Sequence, residues 1–369
     1  MGIDAIFDSR NWALVPFHFW SAVFFAFGCV VGSFLNVCIH RLPLGQSVVS
    51  PSSHCPHCQY SIPWYLNVPL VTWLMVRGKC RNCGAPISFR YFLVELLTGT
   101  LFLCCWLVFG RQSVALVLVY CLFLAGLIAA SFIDAEHFII PDQITLSGIG
   151  AGFLCSLFLP ELHQAHSPAD SLGQSLIGIA FGSGLIYLIL RLGKILFGRQ
   201  KLQLPSEAKV VFTETAVVLP EKEIPYEELF YRHSDVIALD ARTVEMIDRC
   251  YQNVLVRLTP ETLRIGDDEF DPKQVPHLEA VTGEILLPRE AMGLGDVKFM
   301  GAIGAFLGWQ GVGFALMVSS LVGSVIGVGL ILAGRRAWSS RMPYGPYIAI
   351  AAAIWIFGGR QWWGWLFLR

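Results

Sequence analysis

Runs of about twenty apolar residues recur along this chain almost without acid, and that feature leaves few folds open. Of its 27 acidic residues only nine lie outside 199–291: Asp4, Asp8, Glu95, Asp134, Glu136, Asp142, Glu161, Asp170 and Asp296. A helix needs about 20 apolar residues to cross the hydrocarbon core. Lipid offers the backbone no hydrogen bonds, so such runs must be helical or closed barrels. Candidate spans cover 17–39, 91–110, 113–133, 143–159, 172–197, 297–307, 312–333 and 347–367. The expectation is an α-helical polytopic membrane protein with about eight transmembrane helices. Charged residues make up 14% of the chain, against about 25% in soluble proteins.

Segment 199–291 is different. It holds 11 basic residues against its 18 acids, a net charge of about −7. Apolar alternation at Val210 to Val218, Val254 to Leu258 and Glu284 to Leu287, with Gly266-Asp267-Asp268 as a turn, predicts a small, mainly β, soluble insert. Its acidity suggests attraction to a basic peptide or an assembly protein; a tolerated surface insertion is the plainer alternative. Elsewhere the basic residues cluster in three loops: Arg41, Arg77, Lys79, Arg81 and Arg90; Arg191, Lys194, Arg199 and Lys201; Arg335, Arg336 and Arg341. With eight spans these loops share one side, which the positive-inside tendency makes cytoplasmic. This is a topology signal, not a nucleic-acid-binding pattern. The opening MGIDAIFDSRNW has no basic n-region or small-residue cleavage site, so the first span is expected to remain.

Within the first basic loop stands Cys55-Pro-His-Cys58, followed after 21 residues by Cys80-Arg-Asn-Cys83-Gly84. Two Cys-x2-Cys knuckles at this separation form a zinc-ribbon pattern. Four thiolates suit zinc and leave no open coordination position, so the expected role is structural. His54 and His57 are expected outside the ligand set. The other seven cysteines mostly fall in apolar spans, where cysteine behaves as a small hydrophobe.

Acids at a membrane edge each need an explanation. Asp134 closes the third span, and Asp296 begins the sixth, preceded by Gly293-Leu-Gly295. On the expected topology both lie at the cytoplasmic edge. A pair of carboxylates can share one proton, the ionised member activating water and the protonated member serving as acid. That suits peptide hydrolysis without a metal or a covalent intermediate. Asp142, after Pro141, reads first as a helix N-cap. Glu136 is either a solvated interfacial charge or a helper in catalysis. Glu95 could pair with Arg90 or His40, or line a site.

Six ordered elements resemble the prepilin leader peptidase and N-methyltransferase family, membrane aspartic proteases with a Gly-x-Gly-Asp motif. They are Gly32-Ser-Phe-Leu-Asn36-Val with His40-Arg41-Leu-Pro43; the two knuckles; Ile87-Ser88-x-Arg90-Tyr91 through Glu95 to Gly99; Phe132-Ile-Asp134 with Pro141-Asp142; Gly293-Leu-Gly-Asp296-Val-Lys298; and Pro343-Tyr-Gly345-Pro346. The resemblance implies cleavage of the basic leader of type IV prepilins or type II secretion pseudopilins at the cytoplasmic face of the inner membrane. N-methylation of the new amino terminus by S-adenosylmethionine would follow. By position it implies Asp134 and Asp296 as the catalytic pair and Cys55, Cys58, Cys80 and Cys83 as metal ligands. Gly32, Asn36, Arg90 and Glu95 are candidates for binding the methyl donor, because they share the amino-terminal half with the zinc loop. The expected division is 17–110 for that methyltransferase part, 111–198 with 292–369 for the peptidase, and 199–291 for the insert.

Three other readings stand beside this one. An intramembrane protease of the presenilin sort shares Gly-x-Gly-Asp but has no use for a zinc ribbon. A transporter with an acidic proton relay would place its acids nearer the midplane. A zinc-ribbon scaffold is the non-enzymatic alternative.

Overall fold

The structure, a computed structural model, describes residues 16–63, 66–197, 199–220, 222–230, 235–246, 249–275, 277–288, 293–334 and 342–367. Arg335, Arg336 and Arg341 of the charge argument lie outside the described residues, as do the first fifteen residues and Ala291-Met292. The chain divides into two compact units, one from residues 1–187 with 294–369 and one from 188–293.

The first unit is helical: α1 (Phe17–Arg41), α2 (Val71–Met75), α3 (Phe89–Phe109), α4 (Val114–His137), α5 (Asp142–Phe158) and most of α6 (Pro168–Phe197). After the second unit it resumes with α8 (Leu294–Leu332), α9 (Gly345–Ile354), a π turn at Trp355–Gly359 and α10 (Arg360–Phe367). Local chemistry sets the starts: Ser88 and Ser113 cap α3 and α4 by accepting from the Arg90 and Leu116 amides. Five helices among the described residues are long and apolar enough to cross a membrane: α1, α3, α4, α6 and α8. The sequence expectation was about eight. Helix α5 has 17 residues, or about 25 Å at 1.5 Å per residue, and the α9 segment is broken by its π turn. Helix α8 counts once although Gly308 interrupts it with φ 71° and ψ 178°, a left-handed backbone that favours glycine. Ser319 and Ser320, beyond that corner, reach the Tyr344 hydroxyl at 2.9 and 3.0 Å, so the second half of α8 runs back toward the start of α9.

Helix α4 is central, with 72% of its apolar window buried against 39% or less for the others. Its Phe123 stacks on Phe306 of α8 at 4.5 Å between centroids, while Trp106 of α3 stacks on Phe17 and Phe24 of α1. In lipid, helices associate by close packing rather than by escaping water. The sequence supplies that closeness with glycine. A Cβ on Gly28 would stand 2.8 Å from the Gly99 Cα, and one on Gly32 would stand 2.7 Å from the Glu95 Cα. Between α6 and α8, Gly178 and Gly304 face one another with no room for a side chain, and the Ser175 hydroxyl donates to the Ala305 carbonyl at 3.0 Å.

The second unit follows the expected β pattern. It contains β1 (Arg199–Phe212), β2 (Ala216–Leu219), β3 (Lys222–Pro225), a short α7 (Tyr226–Leu229), β4 (Ile237–Glu245), β5 (Cys250–Leu258), β6 (Leu263–Ile265), β7 (Asp268–Phe270) and β8 (Leu278–Pro288). They form one antiparallel sheet ordered β3-β2-β1-β8-β4-β5-β6-β7. Alternate residues such as Val210, Ile237, Leu239, Val256, Ile265 and Ile285 meet in a single apolar core. The predicted turn is the β6–β7 hairpin, where Gly266 adopts φ 60°. The register of β1 with β8 slips between Gln203 and Ala208, the stretch that holds Pro205, whose ring nitrogen has no hydrogen to give the ladder. Entry and exit strands are paired directly, Arg199 opposite Pro288, so the unit closes on itself.

Because each unit has its own core, replacing residues 201–288 with a short Gly-Ser linker should leave the helical unit folded. Its thermal unfolding midpoint in detergent is expected to stay near that of the full chain; a collapse to aggregated protein would contradict this.

Candidate active site

The two cysteine knuckles fold alike. The Cys55 amide donates to the Tyr60 carbonyl at 3.0 Å and the Gln59 amide to the Cys55 carbonyl at 2.9 Å; Cys80, Ala85 and Gly84 repeat the pattern at 2.8 and 2.9 Å. Gln59 and Gly84, each just after the second cysteine of its knuckle, both take positive φ, 56° and 72°. Glycine at the second position relieves there the strain that the glutamine must bear. The four sulfurs converge within 4.8 Å of one another, with Cys55–Cys83 at 3.9 Å and Cys58–Cys80 at 4.0 Å. A tetrahedral ion with metal–sulfur bonds of about 2.3 Å requires sulfurs about 3.8 Å apart, so this cluster could hold a metal ion. The Asn82 side-chain amide donates to Cys58 Sγ at 3.6 Å and pulls the pKa of that thiol down to about 6. A low pKa favours the thiolate form that binds metal.

Beside the cluster lies a cavity of about 1080 Å³ whose walls include Asn36, His40, Cys55, Trp73, Tyr91 and Glu95. Arg41 braces one wall by donating to the Ser47 and Pro51 carbonyls at 3.0 and 2.8 Å. Glu95, buried on α3, accepts from the Leu70 amide at 2.7 Å. Leu70 itself sits at φ 60°, so the carboxylate holds a strained turn in place. Asn36 donates to the Tyr91 carbonyl at 3.0 Å, which leaves its buried Oδ1 without a partner; Trp73 Nε1 is likewise unpartnered. Two orphaned polar atoms in one cavity wall point to a ligand, since burying such atoms unpaired is costly. Of the four residues the sequence singled out for this role, Asn36 and Glu95 line the cavity. Gly32 instead lies at the contact between α1 and α3, and Arg90 pairs with Glu136 at the end of α4.

Asp134 stands one turn from the end of α4, which Phe138 terminates in the left-handed region at φ 56°. Its carboxylate is buried and accepts the Gly345 amide, the first of α9, at 2.8 Å. A Cβ on Gly345 would come within 2.8 Å of Asp134 Oδ2, so only glycine permits this approach. Asp296 lies half-buried in the first turn of α8. Gly295, in the same turn, packs against the link between α4 and α5: a Cβ there would meet Ile140 at 3.3 Å. Lys298 reaches across to Asp142 at 2.6 and 2.8 Å. Asp142 was expected as an N-cap, but it is the first residue inside α5, makes no cap hydrogen bond and gives its carboxylate to Lys298. Glu136, for which a solvated charge was one reading, is engaged by Arg90.

Nothing local in the sequence assigns a partner to Gly345 in Pro343-Tyr-Gly345-Pro346 or to Lys298. Each acts on a residue more than 150 positions away, a relation visible only in the fold. A glycine between two prolines beside a helix start was the one local hint that backbone must come close to something.

Comparison with known proteins identifies the family. The family model of the bacterial peptidase A24 N-terminal domain matches residues 26–109. That of the type IV leader peptidase family matches 121–202 and 277–328, breaking where the β unit is inserted. Together they cover more than half of the chain. A prepilin leader peptidase/N-methyltransferase of Aeromonas hydrophila is 28% identical over 94% of this chain and 92% of its own length. One from Myxococcus xanthus (strain DK1622) is 46% identical over 44% of this chain and 45% of its own. A type 4 prepilin-like proteins leader peptide-processing enzyme of Escherichia coli O78:H11 is 42% identical over 35% of this chain and 54% of its own. No solved structure matches. With its apolar helices and its paired knuckles, the chain is a multi-pass membrane protein of the type IV leader peptidase family.

Proposed function

We infer that this chain cleaves the basic leader of type IV prepilins or type II secretion pseudopilins and N-methylates the new amino terminus. The observation that carries the cleavage is the glycine-gated hydrogen bond of Gly345 to Asp134, beside the turn that bears Asp296. An acid of the membrane core is held in one orientation there by a backbone amide. In the reaction Asp134 and Asp296 share one proton. The ionised carboxylate takes a proton from the attacking water, and the other protonates the leaving amine. Lys298 and Asp142 fasten the start of α8 to the start of α5 and so position Asp296. Arg90 and Glu136 fasten the end of α4 to the start of α3.

Eight membrane segments are proposed, with α5, the two arms of α8 and the α9–α10 stretch each counted. The corner at Gly308 supports this number, because it returns the second arm of α8 toward Tyr344. Loop charge supports a cytoplasmic, inner-membrane position for the aspartates and the knuckles, and likewise for the β unit.

Methyl transfer is assigned to the cavity beside the knuckles, within the segment 17–110, with 111–198 and 292–369 forming the peptidase. S-adenosylmethionine, when bound, supplies an electrophilic methyl group on a sulfonium cation. Glu95 and the unpaired Asn36 Oδ1 offer acceptors to the positively charged and amino groups of donor or substrate. Glu95 also stands ready to take the proton that the new amino terminus must lose to become a nucleophile. The knuckles, filled by zinc, keep the cavity wall folded. The acidic β unit is proposed to attract the basic leader.

Asp134→Asn and Asp296→Asn should each lower cleavage of a co-expressed prepilin by about 10³-fold or more at unchanged abundance. Gly345→Ala should lower it by about tenfold or more, because the added methyl displaces the Asp134 carboxylate. Wild-type rates in all three would refute the site. Glu95→Gln and Asn36→Ala are expected to cut methylation of the mature pilin, read by mass spectrometry, while cleavage persists; parallel loss of both activities would tie these residues to folding instead. Elemental analysis of the purified protein should find about one zinc per chain, with little in Cys58→Ser or Cys80→Ser. In the 201–288 deletion, prepilin cleavage unchanged at physiological salt would end the leader-attraction idea.

A further inference from the structure

A second polar site lies at the other end of the helices from the aspartates. Helices α5, the first arm of α8 and α9 all start near Asp134 and Asp296 and run away from them for 10 to 17 residues, about 15–25 Å. At their far ends His163, Gln174, Gly308, Gln310 and Arg360 surround a cavity of about 100 Å³. That is the share of about three waters in the liquid, and room for a single tetrahedral oxyanion. Four parts of the chain build it: the helical turn Pro160–His163, α6, the corner of α8 and the start of α10.

The charge in this cavity is unbalanced. Among the described residues Arg360 has no carboxylate partner; its guanidinium stands 5.7 Å over the Trp355 ring, and the Tyr120 hydroxyl group is near enough to feel its charge. The remaining lining side chains are neutral. His163 Nδ1 is 2.9 Å from the Ser171 hydroxyl. Burial first, and the Arg360 charge second, push its pKa down to about 4, with the Ala305 carbonyl acting the other way. His163 is therefore uncharged at neutral pH. If Ser171 donates to Nδ1, the hydrogen sits on Nε2. That buried atom has no partner of hydrogen-bond geometry, the nearby Ala305 carbonyl notwithstanding. Gly308 is required there by its left-handed backbone, φ 71°, rather than for space, since a Cβ would make only ordinary contact with the His163 Cδ2 at 3.5 Å. Trp309, exposed beside the cavity, and the neighbouring Trp363 are residues of the kind that gathers at headgroup depth.

We propose that this cavity binds one phosphate group, with Arg360 as the counter-charge and His163 Nε2, Gln174 and Gln310 as neutral donors. Arginine suits a phosphate oxyanion because its fork can donate two parallel hydrogen bonds. The group can come from an anionic phospholipid of the leaflet opposite the catalytic aspartates or from free phosphate. In either case it ties the corner of α8 to α6 and α10, away from the chemistry.

The test uses the full-length protein and reads thermal unfolding by tryptophan fluorescence. One arm titrates inorganic phosphate in neutral detergent against sodium chloride at matched ionic strength. The other compares nanodiscs of phosphatidylcholine with discs containing one part in five phosphatidylglycerol. The wild type should show a saturable rise in midpoint in at least one arm, phosphate identifying the free ion and phosphatidylglycerol alone identifying the lipid. Arg360→Gln should weaken that response by about tenfold or more, as loss of a charge-assisted pair implies, while prepilin cleavage persists as the check on folding. Should Arg360→Gln not fold, Gln174→Leu with Gln310→Leu takes its place, with weaker binding expected. A wild type that responds to neither probe, that responds equally to chloride, or variants that respond like wild type would overturn the proposal.

Discussion

A buried carboxylate near the end of a membrane helix is the constraint around which this structure is arranged. Asp134 is largely shut off from bulk water, so its environment must supply a donor. That donor is the Gly345 amide, one of the amides at the start of α9 that no turn of the helix can satisfy. The bond answers two needs at once, since a helix start and a buried acid each lack what the other has. It also requires α9 to begin against the end of α4 with no side chain between them. The return of α8 at Gly308 and the pairing of Ser319 with Tyr344 then follow as ways of bringing the start of α9 to that point.

The rest of the helical unit depends on the same economy of space. Lipid gives helices no hydrophobic reason to associate, so α1 meets α3 and α6 meets α8 at glycines where the backbones come into contact. Three polar contacts tie separate segments together. Arg90 meets Glu136, Lys298 meets Asp142, and Glu95 holds the strained turn at Leu70. Each joins segments that are distant in sequence, so each fixes the relative position of two elements of a site. The β unit sits outside this logic. With its first and last strands paired, its core is complete without the helices.

Much of this was legible beforehand. The spacing of Cys55, Cys58, Cys80 and Cys83 foretold the cluster, because short-range knuckle geometry is set by a few neighbouring residues. The alternation in 199–291 foretold strands for the same reason, and Gly266 foretold its hairpin. Segment counting went less well. Hydropathy separated 297–307 from 312–333, on either side of the corner at Gly308, but gave no sign of the π turn that interrupts 347–367. Asp142 after Pro141 looked like a cap, yet an ion pair across 156 residues claimed its carboxylate.

From sequence came the helical membrane body, the paired cysteine knuckles and the β unit that interrupt it, and the prominence of Asp134 and Asp296. These follow from composition, period and local spacing, which the nearest dozen residues decide. The folded molecule alone shows which backbone amide holds Asp134, which of the early candidates face the cavity, and that Arg360 stands with His163, Gln174 and Gln310 around a second one. Those facts are distances between residues far apart in the chain. They are set by how closely glycine-bearing helices can approach, and no local pattern records that.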